Sequence, residues 1–181
     1  MRRILAYAVV FSVLYSCGNG SSKNKPPVIN IIGYIKRELK LLDSIPYGII
    51  KITEYGDQRD SVYIKKNLLD SILDPFLRNS INPSDLESFY EEKSFADAST
   101  QAVNITYDAK NTEAEIRQIV IYINPSTGSI DQVYITGLFQ TNDGIIKKQL
   151  LWMHNKGFQI ISTDASSASK GISKIEKILW Q

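Results

Sequence analysis

Two residues bound the chemistry this chain can perform: it has one cysteine, Cys17, and one histidine, His154. A lone thiol excludes an intrachain disulfide framework and a multi-cysteine zinc site. A lone imidazole excludes a multi-histidine metal centre. Ser–His–Asp catalysis needs a serine within hydrogen-bond reach of the base, so His154 would have to serve. It sits at the predicted end of a strand beside the turn His154-Asn155-Lys156-Gly157, and no Gly-x-Ser-x-Gly elbow is present. It reads as a turn-flanking residue, and no catalytic residue is assigned.

Carboxylates offer little more. Glu91 and Glu92 are adjacent, and on a helix they would point about 100° apart. Glu54, Asp57 and Asp60 gather around one loop without calcium-loop spacing. There is no Gly-rich phosphate loop, and the adjacent lysine pairs Lys65-Lys66 and Lys147-Lys148 read as solvated faces. No metal or cofactor is expected. Among the aromatic residues Tyr107, Tyr122, Tyr134, Phe139, Trp152 and Phe158, core packing is the default. Trp152 is the exception to watch. Strand alternation places it on one face with Ile146, Lys148, Leu150 and His154. A face with lysine and histidine reads as wet, so Trp152 is expected to be partly exposed. Trp152 and His154 are the candidate ligand-binding residues.

The N-terminus reads as an address. Met1-Arg2-Arg3 is a positive n-region, and Ile4–Leu14 is an uncharged, apolar-rich run of 11 residues. That is too short for a transmembrane helix and right for a signal-peptide core. Leu14-Tyr15-Ser16-Cys17 then resembles a bacterial lipobox, with Tyr15 departing from the usual small or β-branched residue. The resemblance covers about the first 17 residues. It implies cleavage before Cys17, removal of residues 1–16, and acylation of Cys17, which would consume the only thiol. Two or more acyl chains give stable anchoring. Residues 17–27 would form a lipidated tether, whose Gly18–Lys25 stretch reaches about 15 Å as flexible coil. Neither an Asp directly after Cys17 nor an acidic run follows. By the same resemblance, this favours the outer membrane with the body on its periplasmic side.

Composition agrees with a folded body. The chain has 181 residues, 43% hydrophobic and 22% charged, near ordinary globular usage. Losing Arg2 and Arg3 from the 21 basic residues leaves 19, equal to the 19 acidic ones. Such a balance gives no electrostatic footprint for nucleic acid.

Residues 28–181 are read as a single α+β domain. Apolar spacings of three and four predict a helix over Val28–Asp43 and another over Lys66–Leu77, with Pro75 sharpening its end. Gly48–Tyr55 reads as a strand, and Ser61–Ile64 as a short partner. Ser84 with Glu87 fits a capping box, predicting a helix from Asp85 to about Glu92. From residue 100 the period becomes two. Strands are predicted over Ala102–Asp108, Glu115–Asn124, Ile130–Gln140, Ile145–His154 and Phe158–Thr163, with turns at Pro125–Gly128, Asn142–Gly144 and Asn155–Gly157. Asp164–Lys170 reads as a polar loop. Ile172–Trp180 is preferred as a strand, with a helix left open.

The fold class expected is therefore two to three N-terminal helices on one face of a twisted antiparallel meander of about four to six strands. Nuclear-transport-factor-like cones, cystatin-like folds and small outer-membrane assembly lipoproteins resemble this order, which is analogy of fold alone. The expected function is a non-enzymatic, membrane-anchored envelope lipoprotein acting as a binding or scaffold module. Its partners would be the membrane, through acylated Cys17, and an envelope protein. The alternatives are a small-ligand or lipid-binding cone lined by residues such as Ile105, Ile121, Ile135 and Phe139, or a hydrolase with an unrecognised carboxylate pair.

Overall fold

The computed structural model describes residues 28–44, 46, 48–78, 81–97, 102–165 and 173–180. The expected signal peptide, Cys17, the expected tether through residue 27 and most of the 164–170 segment read as a loop lie outside the described residues.

Alternating apolar residues dominate this chain, and the result is one antiparallel sheet of nine strands. The first two, β1 (Ile49–Tyr55) and β2 (Gln58–Ile64), form a hairpin. After the helices come β3 (Tyr90–Asp97), β4 (Ala102–Ala109), β5 (Ile116–Ile123) and β6 (Ile130–Thr141). The last three are β7 (Gly144–Met153), β8 (Gly157–Asp164) and β9 (Lys174–Trp180). Strands β3 to β9 follow one another as neighbours, and β9 then pairs with β1, giving the order β2-β1-β9-β8-β7-β6-β5-β4-β3. This corrects the expected fold. The sheet is larger than a four-to-six-stranded meander, because both segments flanking the central helices join it. The β1–β9 contact is a non-local pairing, Ile49 opposite Trp180 and Tyr55 opposite Lys174, which local periodicity cannot reveal.

Three short helices accompany the sheet: α1 (Ile31–Leu41), α2 (Leu68–Leu77) and α3 (Pro83–Phe89). Helix α1 begins later than its apolar spacing predicts, because Asn30 caps it: the Asn30 side chain accepts a 2.8 Å hydrogen bond from the Gly33 N–H. Helix α3 is capped by Asn82, not by Ser84 as the capping-box pattern predicts. The Asn82 side chain accepts from the Asp85 N–H at 3.0 Å, and Pro83 takes the first helical position, where a missing N–H costs nothing. The expected helix through Glu92 stops at Phe89. Tyr90 is already extended, and its hydroxyl donates to the buried Ile116 carbonyl.

Strands β2 and β3 are the two edges of the sheet, yet α2 and α3 connect them. The connection therefore has to cross a sheet face. Phe76 of α2 meets Phe139 of the interior strand β6 edge-on at 5.7 Å, and α3 leads directly into β3. The inner face beneath is dry. Ile119, Ile121, Val133, Ile135, Leu150, Trp152, Phe158 and Ile178 are all fully buried. Glycine is required at one hairpin. Gly157 has φ +139°, and a Cβ there would lie 2.0 Å from the Ile178 carbonyl oxygen.

The opposite, outer face carries the alternate residues, among them Val120, Tyr134, Leu151, Ile161, Ile175 and Ile52. These are half-buried; across β5 to β7 their inner neighbours Ile119, Ile121, Val133, Ile135, Leu150 and Trp152 are fully buried. Among the described residues no helix packs on that face. Both edges carry charge, Arg59 and Asp60 on β2 and Glu91, Glu92 and Lys93 on β3, which discourages edge-to-edge aggregation.

Candidate functional site

Trp152 and His154 do fall on one face, but that face is dry at this point. Trp152 is 0% exposed, against the expectation of partial exposure. The reason is α1, which lies over this end of the inner face. Trp152 stacks on Phe158 at 5.6 Å and meets Trp180 at the same distance, tilted. The cross-strand register creates the stack, with Trp152 of β7 directly opposite Phe158 of β8.

His154 stands just beyond β7, and its N–H donates to the Asp131 carbonyl, extending the ladder by one bond. Helix α1 supplies its partners. Tyr34 and Glu38 are four residues apart, so they share one helical face. Glu38 Oε2 lies 2.9 Å from His154 Nδ1, and the Tyr34 hydroxyl lies 3.0 Å from the same nitrogen. On the other side of the ring, Asn155 Nδ2 lies 2.9 Å from Nε2. An amide nitrogen only donates, so Nε2 accepts and the network assigns the proton to Nδ1. Nδ1–H then donates to the Glu38 carboxylate, a charge-assisted bond. The Tyr34 hydroxyl donates onward to the Ile130 carbonyl at 3.3 Å. Asn155 occupies a left-handed conformation, φ 56°, which asparagine tolerates and which turns its amide toward the ring.

Burial pushes the Tyr34 phenol up to about 12, and the Glu38 carboxylate adds to the effect. Trp152 and Arg37 pull weakly the other way; the Arg37 guanidinium lies 5.8 Å from the ring centre. The Trp152 indole N–H is near enough to act on the phenol electrostatically but makes no hydrogen bond of ordinary geometry among the described residues.

A carboxylate orienting an imidazole is the base half of a nucleophile–base pair. The other half is missing among the described residues. Nε2 is met by Asn155, and no hydroxyl or thiol bonds to it. With Glu38 buried and both partners on α1, the arrangement ties the helix to the sheet.

The remaining acids do not converge. Glu54 grips Lys177 with both oxygens, at 3.0 and 3.1 Å. Asp60 accepts from the Ser61 N–H. Glu91 and Glu92 lie on strand β3, so they point to opposite faces. Among the described residues no three His, Cys, Asp or Glu side chains gather as a metal site. The proposed cone lining is core: Ile121 and Ile135 are fully buried, Phe139 lies beneath Phe76, and Ile105 packs against the same cluster. Tyr34 and Glu38 were not singled out by the sequence. Their only signal is a tyrosine and a glutamate at helical spacing among the apolar positions of α1. Compared with family models, with curated proteins and with solved structures, the chain matches none of them.

Proposed function

We propose that this protein is a lipid-anchored envelope lipoprotein whose body is a binding or scaffold module. The anchor rests on Leu14-Tyr15-Ser16-Cys17 behind a positive n-region and an apolar run. The folded body starts close to the tether: Val28 and Ile29 already pack against the core.

One observation carries the binding half of the reading, the open outer face of the sheet. It mixes aliphatic and tyrosine side chains with amides, as in the row Val120, Tyr134, Leu151, Gln159 across β5 to β8. Protein interfaces have this mixed composition, with aromatic residues enriched and charge depleted at the centre. A membrane-held partner would meet it at high effective concentration.

The test is crosslinking in intact cells followed by affinity isolation and mass spectrometry of the N-terminal peptide. The native chain is expected to begin at an acylated Cys17 and to capture a defined envelope protein. Cys17→Ser should lose the acyl mass and leave the membrane fraction. Leu151→Glu, on the outer face, should keep the anchor and lose the captured protein. An unmodified, uncleaved N-terminus would overturn the anchor. Capture unaffected by Leu151→Glu would overturn the face.

A further inference from the structure

The outer face of the sheet is built as registered rows of side chains, and the two ends of those rows differ. One row runs from Tyr63 on the edge strand β2 to Phe95 on the opposite edge β3, by way of Leu179, Met153 and Tyr122. Four residues along each edge, another runs from Arg59 to Glu91, by way of Ile175, Ile161 and Gln149. The row between them crosses the central strand β7 at Leu151.

From β5 to β8 none of these rows contains a charged residue. Charge gathers at the ends, with opposite balance among the described side chains. On β1, β2 and β9, Arg59 and Lys177 stand against Glu54. On β3 and β4, Glu91 and Asp108 stand against Lys93. The first end is net positive and the second net negative. The ends are also open: Tyr63 is 76% and Phe95 66% exposed, the highest values among the described large apolar side chains. An edge position explains part of that exposure, but not the placing of an aromatic ring at both ends of one row.

A two-fold axis laid along β7 matches these features to one another. It stacks a second copy face to face, with the strands aligned as in a β-sandwich. The operation exchanges the two edges and keeps position along the strands. Leu151 then faces its own counterpart, Tyr63 faces Phe95, and Arg59 faces Glu91, the last two contacts each being made twice. Glu54 is brought toward Asp108, but Lys177 neutralises the first, while Lys93 and Gln118 satisfy the second. Lys147 lies two rows beyond Leu151 and is exposed, so its stem can carry the charge out to water. A two-fold axis across the strands does worse: it lays the positive end on the positive end and leaves Arg59 and Glu91 facing aromatic rings.

Size agrees. Nine strands of about seven residues give a face of about 38 by 23 Å, roughly 900 Å². A stable interface takes about 800 Å² from each partner. The axis along β7 also holds both N-termini at one height, so two tethers of the proposed kind reach one leaflet. Confinement there raises the effective concentration of each copy for the other.

We propose that the outer face pairs with the outer face of a second copy of this chain, about a two-fold axis along β7. This rests on the reading of that face as a binding face, and it names the partner.

The test is sedimentation equilibrium of the full-length Cys17→Ser chain in a non-ionic detergent, so that acylation does not cause association. A concentration-dependent species of twice the chain mass is expected. Leu151→Glu sets two carboxylates against each other at the axis and should weaken pairing by about 100-fold or more. Arg59→Glu and Glu91→Arg should each weaken it about tenfold, because each creates two like-charge contacts. The double variant Arg59→Glu/Glu91→Arg should return to within about threefold of the parent chain. Within one chain these two residues stand on opposite edges of the nine-stranded sheet, so only a second copy can couple them. Both are exposed, so their replacement spares the fold. A chain that stays monomeric at every concentration overturns the proposal; if Leu151→Glu then still abolishes capture of a different envelope protein in cells, the binding face stands with that protein as its partner. Pairing unaffected by Leu151→Glu overturns the proposal and the binding face together. Pairing without rescue in the double variant overturns the axis, and the proposal with it.

Discussion

Glu38 Oε2 and His154 Nδ1 lie 2.9 Å apart, joining the first helix to the turn that follows the seventh strand. Few polar contacts reach between these layers, and in this one the Glu38 carboxylate is buried while His154 is part-exposed. Removing the carboxylate leaves a donor without its acceptor, which costs about 1–3 kcal/mol. Glu38→Ala and His154→Ala should each lower stability by that order in urea denaturation. Their effects should couple by about 0.5 kcal/mol or more in a double-mutant cycle. Strict additivity would mean that the pair does not hold the helix.

Alkaline pH should loosen the fold through its buried tyrosines. Tyr34 and Tyr107 are both pushed up to about 12, chiefly by burial, with Glu38 and Glu92 respectively adding to it. A tyrosine in the unfolded chain ionises near 10. Between these values the folded state holds protons that the unfolded state has released, so stability falls as pH rises. Below about pH 10 the contribution is fully present. Tyrosinate absorbance should show Tyr34 and Tyr107 among the late-titrating phenols, together with Tyr90, which burial also raises. Tyr34→Phe should remove one of them and flatten the alkaline loss.

Gly157 cannot be replaced cheaply. Its backbone conformation disfavours any side chain, and a Cβ would sit 2.0 Å from the Ile178 carbonyl oxygen, across the β8–β9 pairing. Gly157→Ala should cost about 3 kcal/mol or more, through strain and a displaced strand. The denaturation midpoint measures this. A cost below about 1 kcal/mol would mean that β8 and β9 are farther apart here than described.

Both tryptophans should be hidden from solvent. Trp152 is 0% and Trp180 7% exposed, and they meet at 5.6 Å around Phe158. Acrylamide should therefore quench native fluorescence weakly and unfolded fluorescence strongly. Trp152→Ala should cost about 3–5 kcal/mol, as for other large core aromatics. Its loss should also collapse the near-ultraviolet circular dichroism of the cluster.

The strands from Ala102 to Thr163 were legible because their apolar residues alternate and their turns carry Asn, Asp and Gly. Each predicted span agrees with β4 to β8 to within two residues. The sheet's full width was not legible. Tyr90–Asp97 carries Glu91, Glu92 and Lys93, which suit a helix tail as well as a charged edge strand. The β1–β9 pairing depends on complementarity between distant segments, and local patterns contain no record of it. Trp152 and His154 were placed on the correct face, but the character of that face was misjudged. Lys148 and His154 suggested water, whereas α1 covers Trp152 and supplies His154 with polar partners of its own. The partners that make the difference, Tyr34 and Glu38, lie on a helix whose docking site one strand's pattern cannot specify.

The seat of β9 between β8 and β1 has a temporal consequence. The hairpin β1–β2 is synthesised early, yet its only neighbour in the sheet is the last strand described. Until β9 has been made, that hairpin is an isolated pair of strands, which is marginal in water. Non-local closure of this kind is slow. The β1–β2 side of the sheet therefore cannot close before the segment from Lys174 to Trp180 is available, whereas β3 to β8 pair consecutively and do not depend on it.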